Sequence, residues 1–190
     1  RDVAIDFDDG LGYRPVDLGR DVTVRYGVPG EKTIRVRATG ADANLAYAML
    51  AFTVEPNAAP TPDDTLHVTA TIPYLGQFGT GDAYVRLAPG HSQITNPVIV
   101  IEGFDLDNSM NWEELYQSLN QQGLADSVAA HGFDAVVLNF TDATDYVQKN
   151  AFVVEQLILD VQALVPPPTT IALVGASMGG LCSRYALAYM

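Results

Sequence analysis

The first 55 residues show the hydrophobic pattern of short β-strands separated by turns. Turn-forming pairs such as Asp9-Gly10 and Pro29-Gly30 lie between runs in which β-branched residues mostly alternate with polar ones. These runs cover residues 3–7, 22–26, 33–37 and 46–54. A strand that is buried on one face alternates in this way, so the pattern predicts a small antiparallel β-domain over residues 1–55.

Residues 56–64 interrupt this pattern. They contain three prolines and have no hydrophobic period, which is typical of a linker. After them, residues 66–75 and 83–88 predict an antiparallel pair of strands around the glycines of the intervening turn. The linker therefore separates the first β-domain from a second folded region, over residues 65–190.

From residue 97 onward, short apolar runs alternate with segments of helical period. The apolar runs predict buried strands at 97–101, 135–138 and 171–174. The helical patterns cover residues 112–131, 147–165 and 179–190, with a break near Gly123. Asn111 and Glu114 have the spacing of a capping box, and Gly132 suits the end of that helix. The predicted class is α/β, with a mostly parallel sheet and helices on both faces.

Composition agrees with a folded chain and narrows the range of partners. Hydrophobic residues make up 48% of the 190 residues, and the formal net charge is −13. Because such an acidic chain repels phosphate backbones, we expect no nucleic-acid partner. No apolar run approaches the ~20 residues that span a bilayer. The single cysteine, Cys182, can form no disulfide within the chain, and we expect no cofactor and no metal.

One motif carries chemistry. The run Gly175-Ala176-Ser177-Met178-Gly179 fits the pattern Gly-x-Ser-x-Gly, with an apolar strand before it and a helical pattern after it. A serine in such a strand-to-helix turn projects from the edge of the sheet, and the flanking glycines avoid collisions with neighbouring backbone. The start of the following helix offers unpaired N–H groups to a developing oxyanion. The motif predicts a nucleophilic serine, against the alternative of an ordinary glycine-rich turn.

This segment resembles the nucleophile elbow of the α/β-hydrolase family, especially its lipase-like and deacylase-like members. The resemblance covers about residues 66–190 and implies that Ser177 is the nucleophile and that the Met178 N–H is one oxyanion donor. In the family the second donor follows an earlier strand, often in a His-Gly pair. Here Glu102 replaces the histidine before Gly103, and the Phe104 N–H is the candidate donor.

The rest of the family's catalytic triad is missing from the sequence. In the family an Asp or Glu and then a His follow the serine, whereas none of the thirteen residues after Ser177 is Asp, Glu or His. His67, His91 and His131 all precede it, and we expect structural or solvated roles for them. The simplest expectation is that the chain holds the N-terminal part of a hydrolase domain and is inactive, or nearly so, alone.

The N-terminal region resembles the second half of a PKD-type β-sandwich, which is related to immunoglobulin folds. The resemblance rests on Asp6-Phe7-Asp8-Asp9-Gly10, on Tyr26 and on the segment 29–36. It implies an extracellular spacer or adhesion module and a secreted protein. A calcium site at Asp6, Asp8 and Asp9 is an alternative, as is one at Asp105, Asp107 and Asn108. Carboxylates of turns and loops are the favoured interpretation of both clusters.

These inferences predict a serine hydrolase that acts on small-molecule or lipid esters through an acyl-enzyme on Ser177. A lipase, carboxylesterase or deacylase is the predicted class. Two alternatives stay open: a non-catalytic extracellular binding or adhesion protein on a hydrolase scaffold, and an acyltransferase. An incomplete sheet would also leave an unpaired edge strand, which predicts self-association.

Overall fold

The computed structural model describes residues 2–40, 42–55, 58–121 and 123–190. The chain divides into two compact units, Arg1–Asn57 and Ala58–Met190. Most of the predicted linker, residues 58–64, belongs to the second unit, and its Pro56 and the neighbouring Asn57 lie outside the described residues. None of the helices in the described ranges is both long and apolar enough to cross a membrane.

The first unit contains one antiparallel sheet. Its strands are β1 (Asp2–Asp6), β2 (Arg14–Pro15), β3 (Gly30–Thr39) and β4 (Leu45–Val54). They lie in the order β2-β1-β3-β4, and β3 and β4 form a long hairpin in which Gly30 faces Val54 and Thr39 faces Leu45. The sheet agrees with the predicted antiparallel β-domain. The described residues of this unit supply one layer, so the second layer of a sandwich stays a prediction.

The predicted strand at residues 22–26 is wrong. This segment is irregular, and the short strand β2, which the pattern did not predict, pairs with β1 instead. Tyr26 is held by its side chain, since its hydroxyl donates to the Phe7 carbonyl at 2.6 Å and its ring packs edge-on against Phe52. The alternating residues of 22–26 therefore mark a segment that the Tyr26 side chain anchors. In the described part of the chain, this segment has no partner strand.

The second unit alternates strands and helices around a five-stranded sheet. Its strands are β5 (Asp64–Thr69), β6 (Thr80–Arg86), β7 (Pro97–Ile101), β8 (Asp134–Phe140) and β9 (Ala172–Gly175). Its helices are α1 (Trp112–Leu119), α2 (Leu124–Ala130), α3 (Val147–Leu164) and α4 (Met178–Tyr189). The predicted break near Gly123 separates α1 from α2. Both capping-box hydrogen bonds between Asn111 and Glu114 are present at the start of α1.

The sheet is mixed, so the prediction of a mostly parallel sheet was too simple. The strand order is β5-β6-β8-β7-β9, in which β7 pairs in parallel with β8 and β9, while β6 pairs antiparallel with β5 and β8. The antiparallel pair β5 and β6 was correctly predicted. The antiparallel pairing of β6 with β8 was not predicted, because it depends on which strand β6 joins. Parallel strands end at the same edge, so the loops after β7, β8 and β9 meet there.

The core of this unit lies between the sheet and helices α3 and α4. Ile99, Leu138 and Leu157 are fully buried in it, and α3 also contributes the buried valines Val153, Val154 and Val161. The core also contains Cys182, where burial raises the pKa of the thiol to about 11. Burying these large apolar side chains stabilises the unit by roughly 1.5–3 kcal/mol for each one. The packed helices hold β7 and β9 side by side, which positions the elements described next.

Candidate active site

Ser177 occupies a tight turn between the end of β9 and the start of α4. Its backbone has φ 48° and ψ −116°, a conformation that residues with a side chain rarely adopt. The residue is exposed, whereas the next two residues, Met178 and Gly179, are buried. Strain of this kind costs about 1–3 kcal/mol and persists where surrounding packing enforces it. The structure therefore presents the Ser177 hydroxyl to solvent on a rigid support.

Two glycines make this turn possible because backbone segments pass very close to them. A Cβ on Gly179 would lie 2.2 Å from the Glu102 carbonyl oxygen and 2.6 Å from that of Ile101. A Cβ on Gly175 would lie 2.4 Å from the Gly179 carbonyl carbon. Any side chain at either position would collide with backbone that has little freedom to move. The backbone packing of the turn therefore leaves no room for a side chain at Gly175 or Gly179.

The loop after β7 lies directly beside Ser177. A Cβ on Gly103 would be 3.3 Å from the Ser177 Cβ and 3.2 Å from the Ala176 carbonyl oxygen. The Ala176 N–H donates to the Ile101 carbonyl at 3.2 Å, which ties the two strand ends together. The structure therefore brings the Gly103 loop and the turn at Ser177 together.

The two candidate oxyanion donors are backbone N–H groups on either side of this contact. Met178 is the first residue of α4, where an α-helix leaves its N–H without an intrahelical acceptor and carries partial positive charge. Phe104 follows Gly103 in the loop, and in the described part of the chain its N–H donates to no other group. The assignment of both N–H groups as oxyanion donors stays a prediction.

Glu102 is the feature that the sequence interpretation missed. It stands where the α/β-hydrolase family, which this segment resembles, often has histidine, and its side chain is buried, with 4% of the residue exposed. One carboxyl oxygen accepts the Phe140 N–H at the end of β8, and the other has no partner among the described residues. Burial raises the pKa of this carboxyl to about 7; the Phe140 bond opposes the rise, and the charge of Asp105 adds to it. The sequence did contain a signal for this buried carboxyl, because Glu102 directly follows a buried apolar strand.

A small cavity of about 170 Å³ opens behind this loop, between α1 and the sheet. Its walls are mainly apolar, and they include Val100, Met110, Leu115 and Val137. Gly103, Phe104 and Ala176 also line it, so it adjoins the neighbours of Ser177.

None of the three histidines contacts Ser177 in the described part of the chain. His67 pairs with Asp82 across β5 and β6, with 2.7 Å between Nδ1 and the carboxylate. His131 ends α2, with its Nδ1 2.7 Å from the Ser127 carbonyl oxygen. These contacts agree with the structural roles expected for both side chains.

His91 also has a structural partner. Its Nδ1 lies 2.8 Å from the carboxylate of Asp134. Asp134 begins β8, so this pair lies at the N-terminal ends of the parallel strands, whereas Ser177 lies at their C-terminal ends. Asp134 is fully buried and also accepts N–H bonds from Ala88, Thr95 and Asn96. Burial raises the pKa of Asp134, but these N–H bonds outweigh that effect and hold its pKa below the ordinary value. The pair fastens the 87–96 loop rather than serving a nucleophile.

The side chains of both acidic clusters form hydrogen bonds within turns and loops. Asp9 forms two bonds with the Arg14 guanidinium, at 2.6 and 3.1 Å, and Asp8 accepts the Thr33 N–H at 2.9 Å. In the other cluster, Asp105 accepts the Met110 N–H at 2.8 Å, and Asn108 bonds to the backbone of 141–143. Among the described residues, no group of three His, Cys, Asp or Glu side chains is placed to hold a metal ion.

No protein-family model matches the sequence, and no curated protein is similar to it. Solved structures offer weak likenesses. Est1E from Butyrivibrio proteoclasticus has a TM-score of 0.47 and 16% identity over 66% of this chain and 45% of its own. An α/β serine hydrolase without a lid from Xanthomonas campestris has a TM-score of 0.44 and 21% identity over 70% and 59% of the two chains.

A thermostable esterase has a TM-score of 0.44 and 12% identity over 99% of this chain and 64% of its own. The chain thus spans less than two thirds of the length of each of these structures.

The close packing at Gly179 predicts a large effect from one methyl group. We expect Gly179→Ala to lower the free energy of unfolding by about 3 kcal/mol, because backbone must shift to relieve the collision. Gly180→Ala is the matched control: its Cβ would meet the Gly175 carbonyl oxygen at 3.3 Å, a contact that small movements relieve. Chemical denaturation of both variants measures the difference. Equal stabilities of the two variants would contradict the packing described here.

Proposed function

We propose that this chain carries the nucleophile and the oxyanion donors of a serine hydrolase of the α/β-hydrolase family, and that the enzyme acts on esters. The observation that carries the proposal is the geometry of Ser177, which is exposed, held at φ 48° between a strand and a helix, and in contact with the Gly103 loop. Strained backbone gathers at functional sites, and a serine followed directly by the unpaired N–H groups of a helix start suits acyl transfer.

The proposed chemistry has two steps. The Ser177 Oγ attacks the ester carbonyl carbon, its proton passes to a general base, and the Met178 and Phe104 N–H groups stabilise the oxyanion. The alcohol then leaves with a proton and the acyl group stays on Oγ. Water attacks the acyl-enzyme in the same manner, and the carboxylic acid is released.

The general base is not assigned to any residue of this chain. A serine hydroxyl is a weak nucleophile until a base removes its proton. In the described part of the chain, the three histidines pair with groups away from Ser177. We therefore propose that none of these histidines acts as the base for Ser177, and that the chain alone turns over little or no ester.

Apolar side chains around the site support an apolar acyl or lipid ester as substrate. Phe104 and Leu106 are exposed in the loop after β7, and Tyr146 is exposed after β8. Tyr146 also packs against Tyr74, which brings the β5–β6 turn to the same edge of the sheet. Exposed apolar residues gathered at one edge are typical of a surface that binds an apolar ligand.

The first unit supports a proposal about location. We propose that it is part of a PKD-type sandwich and that the protein is secreted, with this unit serving as a spacer or adhesion module. Its antiparallel sheet and the buried Phe7 of the Asp-rich motif support this proposal. The exposed apolar residues Tyr47 and Met49 on β4 suit a sheet that a second layer would cover.

Labelling with a fluorophosphonate tests the nucleophile directly. This reagent forms an Oγ–phosphorus bond and releases fluoride, so it marks an activated serine. With imidazole added as the base, we expect an adduct on the peptide containing Ser177, found by mass spectrometry, which Ser177→Ala abolishes. Ser92→Ala, at an exposed serine near the opposite edge, is expected to keep it.

Two other outcomes would replace the proposal. A fully folded protein without any adduct at Ser177, even when tested with added imidazole as base, would favour the binding or adhesion alternative. An adduct on Ser177, together with acyl transfer to an added alcohol in preference to water, would favour the acyltransferase.

The sheet edge generates a separate prediction. In the described part of the chain, β9 pairs on one side, with β7, and Val174 on β9 is 48% exposed. We propose that copies of the chain associate through this edge, since an unpaired strand templates pairing. Sedimentation velocity should show concentration-dependent dimers that Val174→Lys weakens. A monomer at all concentrations would contradict this proposal.

A further inference from the structure

Glu102 holds three elements together through three different groups. Its N–H donates to the Leu138 carbonyl of β8 at 3.2 Å, and its carboxyl accepts the N–H of Phe140, two residues further along the same strand. Its carbonyl oxygen lies against Gly179, where an added Cβ would be only 2.2 Å away. Residue 102 thus joins the end of β7 to the end of β8 and to the first turn of α4.

The candidate oxyanion loop begins at the next residue. Gly103 lies against the Ser177 Cβ, and Phe104 supplies the candidate N–H donor. Because residue 102 is fixed at three points, the direction of the following two peptide groups is fixed as well. A donor displaced by about 1 Å can reduce a rate by about 10²-fold, so this fixation matters for the proposed chemistry.

We propose that Glu102 is a positioning residue of the candidate site, whose carboxyl sets the Gly103–Phe104 loop against Ser177. The proposal rests on the proposed function for its catalytic meaning. The positioning role goes beyond the proposed function because it gives a task to Glu102. This residue stands where the α/β-hydrolase family often has histidine. Glu102 acts through the Phe104 N–H and does not touch the substrate.

The surroundings of the carboxyl make it act as an uncharged acid below neutral pH. Asp105 on the following loop is the charged group that acts on it, and its negative charge opposes ionisation. On the side of α1 and the sheet, Glu102 lines a cavity together with uncharged residues such as Leu115, Ser118 and Val137. On the side of α4, Gly179 lies against the backbone carbonyl of Glu102 and brings no charge. A carboxylate formed here would be buried with one oxygen unpaired in the described part of the chain, which disfavours the charge.

Backbone amide chemical shifts report on this role without any enzymatic activity. In ¹H–¹⁵N spectra recorded from pH 5 to pH 9, we expect the Phe140 and Phe104 amides to shift together, with a midpoint of about 7. Glu102→Gln keeps an acceptor for the Phe140 N–H but cannot ionise, so both amides should stay constant. Glu155→Gln, at another carboxyl with a buried unpaired oxygen, should leave the titration unchanged.

A second variant keeps the test decisive if Glu102→Gln does not fold. Asp105→Asn removes the charge that opposes ionisation, so the midpoint at Phe104 should move to lower pH. A Phe104 amide that titrates identically in Glu102→Gln, or that stays constant while Phe140 titrates, would overturn the proposal. A midpoint unmoved by Asp105→Asn would overturn it too, because the titrating group would then lie out of reach of the Asp105 charge.

Fluorophosphonate labelling separates this proposal from the proposed function. We expect Glu102→Ala to lower the labelling rate constant of Ser177 by about 10²-fold, and Glu102→Gln to restore it. If Ser177 takes no label in any variant while the Phe104 amide follows Glu102, the positioning role stands and the hydrolase proposal fails. If Ser177 is labelled equally fast in Glu102→Ala and in the unaltered chain, the positioning role fails and the hydrolase proposal stands.

Discussion

The contact between the first turn of α4 and the end of β7 is the constraint on which the candidate site depends. Gly179 lies so close to the carbonyl oxygens of Ile101 and Glu102 that no side chain fits between them. This approach places the helix start beside the strand end, and it leaves the chain a single tight turn in which to pass from β9 into α4. Ser177 occupies that turn and takes a positive φ as a result.

The same contact joins the two halves of the proposed oxyanion site. The Met178 N–H belongs to α4 and the Phe104 N–H to the loop after β7, so their separation depends on how α4 packs against β7. Glu102 adds a tie from that loop to β8 through the Phe140 N–H. A residue that would otherwise be an unfavourable buried carboxyl is therefore part of the scaffold of the site.

Much of this could be predicted from the sequence, because local signals dominate there. The buried strand at 97–101, the capping box of α1 and the strand-to-helix turn at Ser177 each depend on neighbours in the chain. The antiparallel direction of β6 relative to β8 could not be predicted, since it depends on strand order. The irregular segment at 22–26 and the buried carboxyl of Glu102 likewise depend on partners distant in the sequence.

The stability of two variants at Ser177 tests the central claim that packing holds this residue in a strained turn. Both Ser177→Gly and Ser177→Ala lack the hydroxyl, but only alanine keeps the Cβ that disfavours φ 48°. If packing enforces this strain, the free energy of unfolding of Ser177→Gly is about 1 kcal/mol higher than that of Ser177→Ala. A lower value for Ser177→Gly, as glycine gives at an ordinary backbone position, would contradict it.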